Sequence, residues 1–347
     1  MSIFHHDVSP PEIAVAQQAL VGRLRLFLKG NVPQVLQADV LRALEGEGKL
    51  LSSPLATLSE TRAPLPAGVW PLLVYFVART VSPECDLRCV SSAALAIECM
   101  VLSIDLDDDV MDGDQSTTLT ALGVGRALTV SKTLSVLAVQ LVLSLTEQGI
   151  SSSLVNRLLE TLLEATKTVM SGQHRDVLAE QQDIATVTYE QCIEIATAKA
   201  GTLMRLACLL GAIAAGANDE QCQQFAQLGE NLGISHQLSN DAHDIEQLLP
   251  VRDAQQQQKG GEVKTDIVRG KKTLPIFFAA EKGVTLSQSE KAVDRLTEEQ
   301  VQVLYGASMK TWGMCLVYRE RVRDCLQEIA KHSRIPPALF TLVGIEE

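Results

Sequence analysis

Apolar positions recur at helical spacing along most of the chain. Leu154, Leu158, Leu162 and Ala165 return at intervals of three or four, with Thr161 beside them, which places them on one helix face. An apolar stretch runs from about Val90 into Asp105–Val110, and alanine- or leucine-rich stretches cover 189–216 and 221–247. Alternation of polar and β-branched residues, the mark of a half-buried strand, is nearly absent. Breaks fall near Pro54–Pro66, Pro83, Gly113–Gly123, Gly149–Ser153, Gly216–Asp219, Pro250–Gly261 and Gly283–Ser289. They predict roughly ten helices and an all-α fold. Length alone suggests about two domains, but no internal repeat and no separating linker appears. The expectation is therefore one domain over residues 1–347.

Composition narrows the function. Hydrophobic residues make up 46% and charged residues 21%, enough apolar material for a large core. A net charge of −12 gives no electrostatic reason to bind nucleic acid. Eight scattered cysteines form no CxxC pair, and Cys85 and Cys89 lack partners for a zinc site. They are expected to be buried free thiols in a reducing cytosol. The N-terminus has no basic start followed by an apolar stretch, so no signal peptide is expected. The apolar runs Leu206–Ala217 and Thr133–Thr146 are each shorter than the ~18 residues that span a bilayer. A cytoplasmic protein without a transmembrane segment is the expectation.

The chemistry concentrates in acidic clusters. Asp105, Asp107, Asp108, Asp109, Asp112 and Asp114 crowd the end of the apolar helix. Asp108 and Asp112 share one helix face and Asp105 and Asp109 another, where like charges repel. The helix macrodipole disfavours anions at this end, and no Lys or Arg stands between Asp105 and Gly125. A divalent cation would compensate, and oxygen-only ligands suit Mg²⁺. A solvated acidic helix end is the plain alternative. An EF-hand fails, because counting back from Gly113 puts Val110 where an acidic ligand is needed. A second cluster, Asn240-Asp241-Ala-His-Asp244, follows a helical stretch, and Asp266 through Gly270-Lys271-Lys272-Thr273 comes next. Two acidic faces and a basic loop together form a trap for a diphosphate.

These residues resemble the polyprenyl synthetase family, the trans-prenyl diphosphate synthases of the class I isoprenoid fold. Asp108-Asp109-Val-Met-Asp112 is similar to the first DDxxD motif. Gln237 through Asp244 resembles the second, with Asn240 in place of its first aspartate. Asp266–Pro275 resembles D-x-x-x-G-K-x-T-L-P, Gly172-Gln173-His-Arg-Asp176 resembles G-Q-x-x-D, and Tyr189 with Lys199 resembles the Y…K element. The likeness covers roughly 60–340, with divergent N-terminal helices over 1–60. It implies a homodimeric bundle of helices around a deep cavity, and an allylic prenyl diphosphate of ten to twenty carbons as substrate. It implies three Mg²⁺ ions, with Mn²⁺ as a substitute, held by Asp108, Asp109, Asp112, Asn240, Asp241 and Asp244. Lys199, Gln237, Lys271, Arg269 and Gln173 would contact the substrate, and Ser103, Ile104, Trp70, Phe277 and Phe278 would line the cavity. The small Ser103 hints at a chain longer than ten carbons.

The same resemblance exposes a lack. The family binds isopentenyl diphosphate through G-G-K-R-x-R-P, a histidine before DDxxD and an R-R pair after it. The matching positions are Leu65-Pro66-Ala67-Gly68-Val69-Trp70-Pro71, Val101 and Thr117-Thr118. A second diphosphate there would be poorly paired. The expectation is therefore a prenyltransferase with an acceptor other than isopentenyl diphosphate. Cyclisation of the chain itself, as in a terpene synthase, is one alternative. An ordinary elongating synthase or its partner subunit is the other. Aromatic residues are only 4% of the chain, which weighs against a cation-lining cyclase cavity. A purely non-catalytic binding module would not need the retained aspartates. His236 and His243 read as neighbours of the second motif rather than ligands, and Arg205 as a structural ion pair.

Overall fold

In the computed structural model, residues 11–46, 49–52, 68–114, 116–248, 270–285 and 296–345 are described. Among them the secondary structure is entirely helical. In order come α1 (Pro11–Asn31), α2 (Gln34–Leu44), α3 (Val69–Val81), α4 (Leu87–Asp112), α5 (Thr117–Leu122), α6 (Val124–Glu147) and α7 (Ser152–Glu180). Then follow a 3₁₀ turn (Ile184–Thr186), α8 (Tyr189–Ala196), a π-turn (Thr197–Gly201), α9 (Thr202–Ala214), α10 (Asp219–Leu248), α11 (Leu274–Ala280), α12 (Glu298–Ala330) and α13 (Pro337–Val343). The all-α expectation holds, with more elements than the roughly ten expected.

Local chemistry sets the ends. Asp86 caps α4 by accepting from the Arg88 amide at 2.9 Å, which satisfies one orphan N–H. Gly113 ends it at φ +68°, a conformation that glycine adopts without steric cost. The expected break at Gly113–Gly123 contains α5, started by Ser116 accepting from the Leu119 amide at 3.2 Å. Its Thr-Thr start has low helix propensity, so only the cap marks it in the sequence.

The core forms two apolar clusters. The larger joins α1–α7, α9, the N-terminal half of α10 and the chain's C-terminus; the smaller joins α8, α11, α12 and the C-terminal half of α10. Helix α4 packs on α3, α6 and α9, and α10 packs on α9 and α12. Each fully buried leucine there, such as Leu95 or Leu134, contributes about 2 kcal/mol. Gly233 lets α10 approach the π-turn closely: a Cβ at this position would lie 2.1 Å from the Ala200 carbonyl oxygen.

One expectation needs correction. Leu87–Asp112, Val124–Glu147 and Tyr189–Ala214 are each long and apolar enough to cross a membrane. Counting uninterrupted apolar runs missed them, because helices continue through isolated polar residues. Their most apolar windows are 89%, 44% and 67% buried inside the protein, respectively. The cysteines among the described residues are all free, and all but Cys85 and Cys325 are buried.

Candidate active site

Helices α4, α7, α8 and α10, the π-turn and the strap 270–273 converge on a cavity of about 230 Å³. Asp108 and Asp112 enter it from α4, Asp241 and Asp244 from α10, and Asp176 from α7. Gln237, Asn240, Lys199, Lys271 and Lys272 also line it. The two acidic motifs, some 130 residues apart in sequence, thus face one space, as the diphosphate-trap reading requires. The spacing works because 108 and 112, and likewise 241 and 244, lie one turn apart on a helix face.

The lysines are already engaged. Lys199 Nζ lies 2.7 Å from Asp176 Oδ2 and 3.7 Å from Asp108 Oδ1. Burial works against its charge, but Asp176 and Asp108 outweigh burial and hold its pKa above the usual lysine value. Lys271 forms a buried ion pair with Asp112. Lys272 Nζ turns back to donate to the Gly270 carbonyl at 2.6 Å. Gln237 donates to Asp241 Oδ1 at 2.9 Å. The Asn240 amide nitrogen is 3.5 Å from His236 Nε2.

The cavity holds more negative than positive charge. Among the described residues that line it, Asp108, Asp112, Asp114, Asp176, Asp241 and Asp244 face Lys199, Lys271 and Lys272. Burial raises the Asp108 carboxyl to about 6, with Asp112 adding to the effect and Lys199 and Lys271 opposing it. Its Oδ1 is buried without a hydrogen-bond partner. Excess carboxylate and oxygen-only donors fit a hard divalent cation. Among the described residues no three acidic, histidine or cysteine side chains gather as one metal cage. Each acidic patch would therefore bind an ion partly, leaving positions for water and phosphate oxygens.

Several expected site residues lie elsewhere. Asp109 accepts from Ser116 Oγ at 2.6 Å and does not line the cavity. Ser103 faces α6, not a cavity floor: its hydroxyl meets Ser135 Oγ at 2.6 Å and Ser131 Oγ at 3.1 Å. Ile104 belongs to the larger core, and Trp70 packs against that core from the first turn of α3. Phe278 is held between Tyr189, stacked at 6.4 Å, and the Lys310 ammonium, 3.6 Å from its ring centre, with Phe277 beside it. Packing against the larger core for Trp70, and in the smaller one for Phe277 and Phe278, explains the aromatic departures. Gln173 is 4% exposed with both amide atoms lacking a hydrogen-bond partner, and is not in the cavity lining. Arg269 lies outside the described residues. Arg205 pairs with Glu230 at 3.6 Å, and His243 lies 3.8 Å from Glu246.

Asp114, Lys272 and Thr273, read from the sequence as part of the acidic cluster and the basic loop, line the cavity; Cys192, Ile195 and Ala196 line it too, and sequence reasoning left those three out. Cys192 donates to the Lys272 carbonyl at 3.3 Å, and burial pushes its thiol up to about 12. On the next face of α4, Lys49 pairs with Asp105. There Glu98, 1% exposed, accepts from the Leu50 amide at 2.6 Å. Nothing in the local sequence signals that Lys49 reaches α4.

The polyprenyl synthetase family model matches residues 68–306, more than half of the chain. The chain belongs to the polyprenyl synthetase family. Among its relatives, the geranylfarnesyl diphosphate synthase of Aeropyrum pernix is 28% identical over 272 residues, spanning 75% of this chain and 82% of that enzyme. The nonaprenyl diphosphate synthase of Mycobacterium tuberculosis is 24% identical over 96% of this chain and 90% of its own. The heptaprenyl diphosphate synthase structure from Staphylococcus aureus superposes with a TM-score of 0.72 at 16% identity, covering 96% of each chain. This family member therefore has the isoprenoid synthase fold, and the relatives named here are diphosphate synthases by name.

Proposed function

We propose that this member of the polyprenyl synthetase family ionises an allylic prenyl diphosphate and joins the prenyl group to isopentenyl diphosphate, acting as a chain-elongating synthase. The observation that carries the first half is the cavity itself: Asp108 and Asp112 face Asp241 and Asp244, with Lys199, Lys271 and Lys272 among them. The named relatives support the second half, since each is a prenyl diphosphate synthase. The sequence-based preference for a different acceptor finds no support among them.

In this reading Asp108, Asp112, Asp241 and Asp244 hold Mg²⁺, with Asn240 contributing an uncharged oxygen. Bound Mg²⁺ would neutralise charge developing on the departing diphosphate. Lys199, Lys271 and Lys272 add fixed positive charge around the same group, and stabilise it most as the C–O bond breaks. Apolar Ile195 and Ala196 line the same cavity and keep water from part of it. Self-association through α6 fits as well, because Val124, Leu128, Val136 and Leu143 are exposed along it.

A second reading, transfer to a different acceptor, rests on one observation. Where the family carries cations for isopentenyl diphosphate, Val101 is a buried apolar residue and Thr117 and Thr118 are neutral. Nearby Lys49 is tied to Asp105, with Glu98 close by. The test is diphosphate release from ten-, fifteen- and twenty-carbon allylic diphosphates in Mg²⁺, with and without isopentenyl diphosphate. Release coupled to isopentenyl diphosphate supports elongation. Release that needs an added acceptor other than isopentenyl diphosphate supports the second reading, whereas a hydrocarbon or alcohol formed with no acceptor marks cyclisation of the chain itself.

A further inference from the structure

Helix α12 buries one face and leaves the other bare. Leu304, Ala307, Ser308, Thr311, Cys315 and Tyr318 are buried, and the helix packs on α10 and α11. On the opposite face Tyr305, Met309, Leu316 and Val317 are between 46% and 63% exposed. So many large apolar side chains on one helix face exceed the scattered exposure of an ordinary surface. Gly306 and Gly313 are exposed beside them, and a Cβ built at either meets nothing within 4 Å. Glycine weakens a helix interior, and among the described residues nothing in the protomer requires it at these two positions. We propose that this face docks on the same face of a second copy of the chain, the two α12 helices running antiparallel about a two-fold axis.

The occupant follows from self-complementarity. In such a pair, residues equally far before and after the axis come level with each other. With the axis level with Thr311, Met309 meets the partner's Gly313 and Leu316 meets the partner's Gly306. Each large side chain enters the gap that a glycine leaves, and each pair occurs twice. Tyr305 meets the partner's Val317. Outside this apolar centre Gln302 comes opposite the partner's Glu320. Arg323, which pairs with Glu320 along its own helix, comes opposite the partner's Glu299. Glu298 and Asp324 are like-charged and level, but both are exposed at the rim, where charges interact weakly. Other registers fit worse. With the axis at Met309, that side chain meets itself and Glu298 meets Glu320. With the axis at Gly313, the two glycines face each other and leave a void. The face is separate from the exposed residues of α6, and the inference does not depend on the reaction catalysed.

A single helix pair is small for a specific interface, so a Kd on the order of micromolar is expected. Sedimentation velocity of the full chain, over a roughly hundredfold range of concentration around that value, reads it. The wild type is expected to double in mass as concentration rises. Leu316→Glu, at an exposed position, is expected to halve the largest species. Gly313→Met sets Met against Met and is expected to weaken association about tenfold. The swap Met309→Gly with Gly313→Met keeps the glycine content of α12 and the pairing, and is expected to restore it. Gly306→Leu with Leu316→Gly supplies the same comparison if the first swap does not fold. An unchanged largest species in Leu316→Glu overturns the inference, as does a folded swap that stays as weak as Gly313→Met. Vesicles of phosphatidylcholine and phosphatidylglycerol are the control for a lipid occupant. Binding to them that Leu316→Glu abolishes, with oligomer size unchanged, assigns the face to a membrane and overturns the pairing.

Discussion

Lys199 meets Asp176 at 2.7 Å across the gap between the π-turn and α7. The contact points the one cation of the π-turn at the aspartates of α4, and it depends on helix packing rather than on local sequence.

Replacing Lys199 with Met removes fixed positive charge from the leaving-group end of the cavity. Diphosphate release is expected to slow about 100-fold, the scale of losing one electrostatic stabiliser. A phosphate-coupled release assay checks this, and an unchanged rate contradicts a substrate role for Lys199.

Asp108 titrates upward, to about 6, chiefly because it is buried. The native state then keeps a proton that the unfolded chain, near 3.8, gives up. Its contribution to stability is fully present below about 4 and is lost as pH rises through about 6. Metal binding needs the ionised form, so kcat/KM should rise with pH through about 6. Denaturant melts from pH 4 to 7 without metal, with Asp108→Asn as the flat reference, check the first trend. A pH–rate profile checks the second.

Gly233 has no room for a side chain, since any Cβ there would come within 2.1 Å of the Ala200 carbonyl oxygen. Gly233→Ala is expected to cost about 3 kcal/mol and to displace Lys199 with the π-turn. Gly313→Ala, in α12 with nothing within 4 Å, should instead stabilise by about 0.5–1 kcal/mol. Chemical denaturation of both variants, with activity on each, separates the two effects.

Ser103 serves the α4–α6 contact through Ser131 and Ser135. Ser103→Ala should cost about 1 kcal/mol and leave product chain length as it is. A shift in product length on chromatography contradicts that placement.

The helices, the two acidic motifs and the lysines were legible because they follow from periodicity and spacing within single elements. Asp108 with Asp112, or Asp241 with Asp244, is a relation along one helix, and the shared cavity follows once the motifs are recognised. What could not be read depends on rotation about a helix axis and on distant packing. Asp109, one residue from Asp108, turns to Ser116, and Ser103 turns to α6 for the same reason. Phe277 and Phe278 look like cavity aromatics from their place after the lysine loop, yet α12 brings Lys310 over the Phe278 ring. Lys49 reaches Asp105 from 56 residues away, across a separation that no local pattern encodes.

The most direct test follows the carbon of isopentenyl diphosphate. Radiolabelled isopentenyl diphosphate, a fifteen-carbon allylic diphosphate and Mg²⁺ are incubated with the protein, and label is sought in longer prenyl diphosphates. Incorporation that disappears in Asp108→Ala and Asp244→Ala is the predicted result. Diphosphate released from the allylic donor while all label stays in unreacted isopentenyl diphosphate contradicts elongation.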